Sequence, residues 1–469
     1  MRKMLLLFFV MITPSVMFAA RFDDFFADRT MRVNYFHTGN RGEEIIALGS
    51  VVSDGPWPGS RTRLLDPLNL GNYFFEVLDR DTNQPIYSRG FASVFGEWAT
   101  TDEAKDHPGT FEESVRFPWP KKPVQLVIKK RDASNAFQQI FSTIIDPNSR
   151  FVNPADRPPA GKVWSVIENG PPSQKVDLLV IGEGYIESEL PKFHRDVQRM
   201  VGKLFETEPF KSRKGDFNVR ALDLIEPKSG VHRPRTSDNR RTATGVQYNI
   251  FDSERYVLTL DDHRMRDIAS SAPYDFLEIL VNEKTYGGGG IFNDQATACV
   301  DSAFAEYVFV HEFGHHFAAL ADEYYTSPVA YTTAGTETHP EPWEPNVTAN
   351  GAHPKWATDP DVPLPTPWDK ETFEKHSHEV QAERAKIRAA NQPESVMDKL
   401  FTEEREWETR FLGSQKYAGK VGAFEGASYE PRGLYRPQTD CIMFTRDEVG
   451  FCRVCRSAIE RIIDMYSRE

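Results

Sequence analysis

His311-Glu312-Phe313-Gly314-His315 places two imidazoles and a carboxylate where they can build most of a hydrolytic zinc site. In an α-helix, residues four apart share a face, so His311 and His315 can offer their rings to one metal ion. Glu312, directly after the first histidine, can act as general base toward a metal-activated water. Zinc brings the pKa of such a water to about 7, which makes hydroxide available at neutral pH. A catalytic zinc needs three protein ligands and one open position, so one ligand is still to be found.

In metzincin peptidases the third ligand comes six residues after the second histidine, past a glycine that breaks the helix. Here Ala321 holds that place and cannot ligate, and Ala318 stands where the glycine would be. Asp322 follows one residue later, with Glu323 or a more distant acidic residue as the alternatives. On an unbroken helix Asp322 would lie roughly 10 Å along the axis from His315, too far to share a metal. The spacing therefore predicts a turn within Ala318 to Ala321, made without glycine or proline. His316 points about 100° away from His315 and reads as an orienting or structural group.

The elements that must position these residues follow from pattern. Upstream of the histidines, Ala303, Phe304, Tyr307 and Val308 recur at helical spacing, which predicts a helix packed into a core. Before it, VDLLVIGEGY reads as a buried strand, ELPKFHRDVQRMVGKLFE as a helix and FNVRALDLI as a strand. A helix is predicted near ERYVLTL, then the strand DFLEILVN and the glycine run YGGGGIFND. This alternation predicts an α/β (α+β) domain with the site at the edge of a sheet. Leu277 to Asn282, with the glycine turn, would frame an edge for an extended substrate. The glycine run lacks the Lys-Ser/Thr of a phosphate-binding loop, so a turn or a backbone wall is expected there. Residues 21–150 read as an all-β sandwich, with short β-rich runs such as NYFFEVLD and VQLVIKK between turn-rich stretches. A proline-rich linker is placed at 151–165 and the catalytic domain at 166–469. Within it, about 328–413 reads as an insertion around the cleft: a Pro/Thr-rich loop, then a charged, solvated helix.

Residues 1–20 carry a basic start, an apolar run and small residues, the pattern of a secretory signal peptide. That predicts a secreted or periplasmic protein. The net charge of −13, with both signs interspersed, argues against nucleic acid as partner. Cys299, Cys441, Cys452 and Cys455 all lie in the half that carries the histidines. Disulfides are the default in an exported protein. The alternative is a second, structural zinc site in which Cys441 and Cys299 complete the Cys452/Cys455 pair.

Several segments together resemble the IgA-peptidase family of bacterial zinc metalloendopeptidases, which belongs with the metzincins. They are LLVIGEGYIESELPKF, EPFKSRKGDFNV, SGVHRP, YGGGGIFN, HEFGHHFAALADEYY, VGAFEGASYEPRGLYRP, and CIMF followed by FCRVC. The β-rich region in front resembles the accessory N-terminal domain of that family. The resemblance implies one catalytic zinc on His311, His315 and Asp322, with Glu312 as base and Met443 in the Met-turn beneath the metal. It implies a protein or peptide substrate, whose identity does not carry over. Tyr435, or else Tyr429, would be a phenol donor to the oxyanion. The rival readings are a non-peptidase zinc hydrolase, such as a cell-wall amidase or deacylase, and a glycan- or protein-binding surface protein.

Overall fold

The computed structural model describes residues 21–237, 239–331, 338–447 and 449–467; the signal-peptide segment lies outside the described residues. The first part of the chain forms two four-stranded sheets. Strands β1 (Phe26–Gly39), β2 (Glu44–Ser53), β5 (Gly109–Pro120) and β8 (Val152–Asn153) make one sheet, in the order β5-β1-β2-β8. Strands β3 (Tyr73–Asp79), β4 (Pro85–Phe91), β6 (Val124–Arg131) and β7 (Phe137–Ile145) make the other, in the order β4-β3-β6-β7. Met31, Val33 and Tyr35 of one sheet bury against Phe75, Val77 and Leu126 of the other, the alternation that packs two sheets face to face. Short helices α1 (Phe22–Phe25), α2 (Val94–Trp98) and α3 (Glu103–Asp106) decorate this sandwich.

A six-stranded mixed sheet follows. Strands β9 (Lys162–Ile167), β10 (Val176–Glu183), β11 (Phe217–Asp223), β12 (Phe276–Val281), β13 (Gly288–Ile291) and β14 (Gln295–Cys299) run in the order β13-β14-β12-β10-β11-β9. The four inner strands are parallel and both edges antiparallel. Successive residues of β10 feed opposite cores: Leu178 and Val180 on one face, Leu179 and Ile181 on the other. A parallel strand covered on both faces needs apolar residues at every position, as VDLLVI supplies. Helices α4 (Leu190–Leu204), α6 (Ala305–Ala318) and α9 (Arg453–Ser467) cover the first face and α5 (Asp262–Ala269) the second. In α4, Phe193, Val197, Met200, Val201 and Leu204 form the buried stripe, with Pro191 in the first turn where its missing N–H costs nothing.

Helices α7 (Lys370–Ala389) and α8 (Glu394–Gly413) make a hairpin, and β15 (Phe424–Ala427) pairs with β16 (Glu430–Arg436). The architecture is α+β with a β-rich N-terminal region.

Three expectations change. ERYVLTL is extended, because Gln247 exchanges backbone bonds with Leu258 and Val257 N–H donates to Gly288; the helix begins only at Asp262. Leu277 to Val281 is an interior strand, and the glycine run itself is the edge. Both backbone groups of Gly288 are already bonded to Arg255 and Val257, which closes that position of the edge to a substrate strand. Finally, strands occupy both ends of the stretch 151–165, leaving 154–161 as the strand-free connection.

Candidate active site

Helix α6 is apolar on nearly every side, which suits a helix buried between the sheet and α9. It can lie directly on β13 because that strand is glycine. A Cβ at Gly290 would sit 2.3 Å from the Glu312 carbonyl oxygen, and one at Gly288 3.2 Å from the Glu312 Cγ. The run YGGGG thus permits the close approach that holds Glu312 at the sheet edge.

The helix stops at Ala318, and Ala319 turns the chain with a left-handed φ of 56°. Its N–H bonds the His315 carbonyl at 3.0 Å, a left-handed cap formed without glycine. The chain doubles back and brings Asp322 to the histidines. Asp322 Oδ1 lies 3.0 Å from His311 Nε2 and 3.2 Å from His315 Nε2, and the two Nε2 atoms are 3.1 Å apart. Ligand-capable atoms of His311, Glu312 and His315 also lie within 4.8 Å of one another.

The protonation of both rings follows from their other nitrogens. His311 Nδ1 faces the Ile442 carbonyl at 2.9 Å, and His315 Nδ1 the Leu320 carbonyl. A carbonyl only accepts, so each Nδ1 carries a proton and each Nε2 is the nitrogen left to lend its lone pair to a cation. Two Nε2 atoms and a carboxylate oxygen converge in one buried spot, a donor set that fits a divalent cation. Tetrahedral zinc with bonds of about 2.0–2.1 Å would space such ligands about 3.3 Å apart. Burial alone would raise the Asp322 carboxyl, but His315 and His311 outweigh it and hold it well below the usual range. Burial pushes Glu312 up, against the pull of both histidines.

Met443 is fully buried with its sulfur against Gly314, between the two histidines in sequence. His316 is held by the β12–β13 region: Leu277 N–H donates to its Nε2 at 3.1 Å and its Nδ1 donates to the Ile291 carbonyl at 2.9 Å. Burial lowers its pKa to about 3, so it stays a neutral structural strut. Glu323 points away from the histidines, toward Cys455 and Asn346.

Tyr435 does not line the cleft. Its backbone pairs with Thr348 and its ring packs on Gly351, because β16 turns that side chain outward from the histidines. Tyr429 occupies the position instead: Ser428 and Tyr429 donate backbone bonds to the Asp322 and Tyr324 carbonyls, and the Tyr429 hydroxyl donates to Asp322 Oδ2. The expected disulfides are also absent among the described residues, where all four cysteines are free thiols. Cys299 sits on the far face of the sheet beside the Tyr248 hydroxyl, in a different core from the other three, and cannot complete a site with them.

Several cleft residues carry no motif. Arg255 lines the cleft from the extended ERYVLTL segment, donating to the Pro328 carbonyl at 3.1 Å and toward the Tyr324 hydroxyl at 3.4 Å. Arg446 pairs with Glu404 of α8 at 2.9 Å, so the helical hairpin forms one wall. Glu97 reaches in from the N-terminal sandwich and accepts from Tyr256 and Tyr331 at 2.5 and 2.7 Å. No local signal in FGEW announced that role; the packing of one domain on the other creates it.

A family model described as IgA Peptidase M64 matches residues 165–463, well over half of the 469-residue chain. The chain belongs to the IgA peptidase M64 family. A second model, Peptidase M64 N-terminus, matches residues 21–142 of this M64 chain, the segment expected to be its accessory domain. No curated protein matches it. Family membership makes the M64 chain a peptidase, a hydrolase whose substrates are proteins or peptides. No helix of its described residues is long and apolar enough to cross a membrane.

Proposed function

We propose that this M64 peptidase is a metzincin-like, zinc-dependent endopeptidase in which His311, His315 and Asp322 hold the catalytic ion. The observation that carries the reading is the meeting of two Nε2 atoms and one buried carboxylate oxygen, each about 3 Å from the others. When bound, zinc supplies Lewis acidity, lowering the pKa of a water to about 7 and polarising the scissile carbonyl.

The rest belongs to the chain. Glu312 takes the proton of the attacking water and passes it to the leaving amine, and its buried setting raises its affinity for that proton. Tyr429 orients Asp322 through its hydroxyl. Arg255, in the cleft beside Tyr324, is the cation placed to offset negative charge developing on the substrate carbonyl. The N-terminal segment 1–20 sends the protein to the periplasm or the exterior, which cell fractionation would check.

The test of the mechanism is Glu312→Gln. It removes the proton acceptor and leaves both histidines and Asp322. We expect unchanged zinc content and fold, with hydrolysis of a peptide library slowed by about a hundred- to ten-thousand-fold. Near-normal turnover in that variant would refute the assignment.

A further inference from the structure

Behind the histidines lies a second cluster of metal-ligating side chains. Ligand-capable atoms of Glu323, Cys441, Cys452 and Cys455 lie within 4.8 Å of one another, and all four residues are buried. The Sγ atoms of Cys441 and Cys455 are 3.9 Å apart, and Cys455 Sγ is 3.4 Å from Glu323 Oε1. A tetrahedral zinc with Zn–S of about 2.3 Å and Zn–O of about 2.0–2.2 Å has S···S edges of about 3.8 Å and S···O edges of about 3.6 Å. A disulfide requires about 2.05 Å, and any pairing of three cysteines leaves one thiol over. Independently, Glu323 Oε2 is buried without a hydrogen-bond partner, an arrangement that costs free energy unless a cation meets it.

We propose that Glu323, Cys441, Cys452 and Cys455 bind one zinc ion in a closed structural centre. Four protein ligands leave no open position for water, which separates this centre from the histidine site. Loading releases the three thiol protons, and any proton on Glu323, to solvent. The surroundings suit thiolates: Cys452 N–H donates to Cys441 Sγ at 3.2 Å and Cys455 N–H to Cys452 Sγ at 3.5 Å. Asn346 orients the carboxylate by donating to Glu323 Oε1 at 3.0 Å, and the buried Arg436 guanidinium offsets the excess negative charge. The consequence is positional. Glu323 adjoins Asp322 and donates its N–H to the Met443 carbonyl at 2.7 Å, while Cys441 lies two residues before Met443. The centre would clamp the Asp322 segment and the Met443 loop to the start of α9.

The test uses the full chain carrying His311→Ala and His315→Ala, which removes the first site and leaves the second intact. Metal analysis should find one zinc per chain, and X-ray absorption should show about three sulfur neighbours at about 2.3 Å. Thiol titration in denaturant with chelator and no reductant should count all four cysteines. Absence of zinc, a shell of nitrogen and oxygen alone, or two missing thiols would each overturn the proposal. Adding Cys455→Ser to that chain should abolish the remaining zinc; a folded protein that keeps it counts against the centre. Because the histidines are gone, none of these results depends on the hydrolytic reading.

Discussion

The two Nδ1–carbonyl bonds hold the rings of His311 and His315 so that Nε2 of each faces Asp322, the orientation the proposed zinc site requires. Asp322 is similarly constrained by Tyr429. Partners that orient a metal ligand in this way typically matter about 10–100-fold in affinity or activity. Tyr429→Phe should therefore weaken zinc at the histidine site by about that factor in chelator competition, and an unchanged affinity would remove Tyr429 from the mechanism. Asp322→Ala should be more severe, with the catalytic zinc lost on dialysis while sulfur-bound zinc stays. The histidine pair was legible because four-residue spacing is a property of any helix. Tyr435 was misleading because a hairpin's facing is not written in its residue types. The turn at Ser428 and Tyr429, both left-handed, sends Tyr429 inward and leaves Tyr435 outside.

The join between α6 and Asp322 depends on one residue in an unfavourable conformation. An L-residue in the left-handed region costs roughly 1 kcal/mol, and Ala319 accepts it with no glycine available. Ala319→Gly should stabilise the protein by on the order of 0.5 kcal/mol, read as a small rise in Tm, with activity retained. No rise would mean the backbone cost is relieved elsewhere. The opposite change, Gly290→Ala, drives a methyl into the Glu312 carbonyl. Overpacking of this kind costs about 1–3 kcal/mol, and here it should also slow hydrolysis by moving Glu312; a fully active, equally stable variant would contradict the packing argument. The sequence showed a glycine run, yet its purpose emerges only when α6 is laid across it. The strands β10, β11 and β12 were legible from their apolar runs. ERYVLTL was not, since its extended form comes from partners in Gln247 and Gly288.

The sandwich and the peptidase-family region meet through polar side chains. Asn293 donates to the Gly90 carbonyl at 3.1 Å, Arg32 pairs with Asp54 of its own domain and Asp267 of the other, and Glu97 enters the cleft. Within the sandwich, both ring nitrogens of His37 face carboxylates at 2.9 Å, Glu113 on one side and Glu44 on the other. Burial alone would lower its pKa, but the carboxylates outweigh it and raise it above the ordinary 6.5. Its stabilising contribution is therefore complete below pH 6.5 and is lost as pH rises through the folded value. Glu44 moves the other way, to about 2, so its share is present above 4.5 and fades as pH falls toward 2. Thermal stability should decline from pH 6.5 upward, and His37→Gln should flatten that decline; an identical slope in the variant would rule His37 out.

The sequence by itself determined the local elements and the candidate residues on them: a helix bearing His311, Glu312 and His315, a turn before Asp322, a β-rich front and an α/β remainder. These are readable because helical spacing, strand alternation and ligand types are local properties of the chain. Which carboxylate the cysteines meet, which tyrosine meets Asp322, and that Glu97 shares the cleft were decided by tertiary structure. Each depends on groups distant in sequence, such as Glu323 meeting Cys455 or Glu97 meeting Tyr331. No local pattern records such meetings, because they arise when the α6 turn, the C-terminal helix and the sandwich pack on one sheet.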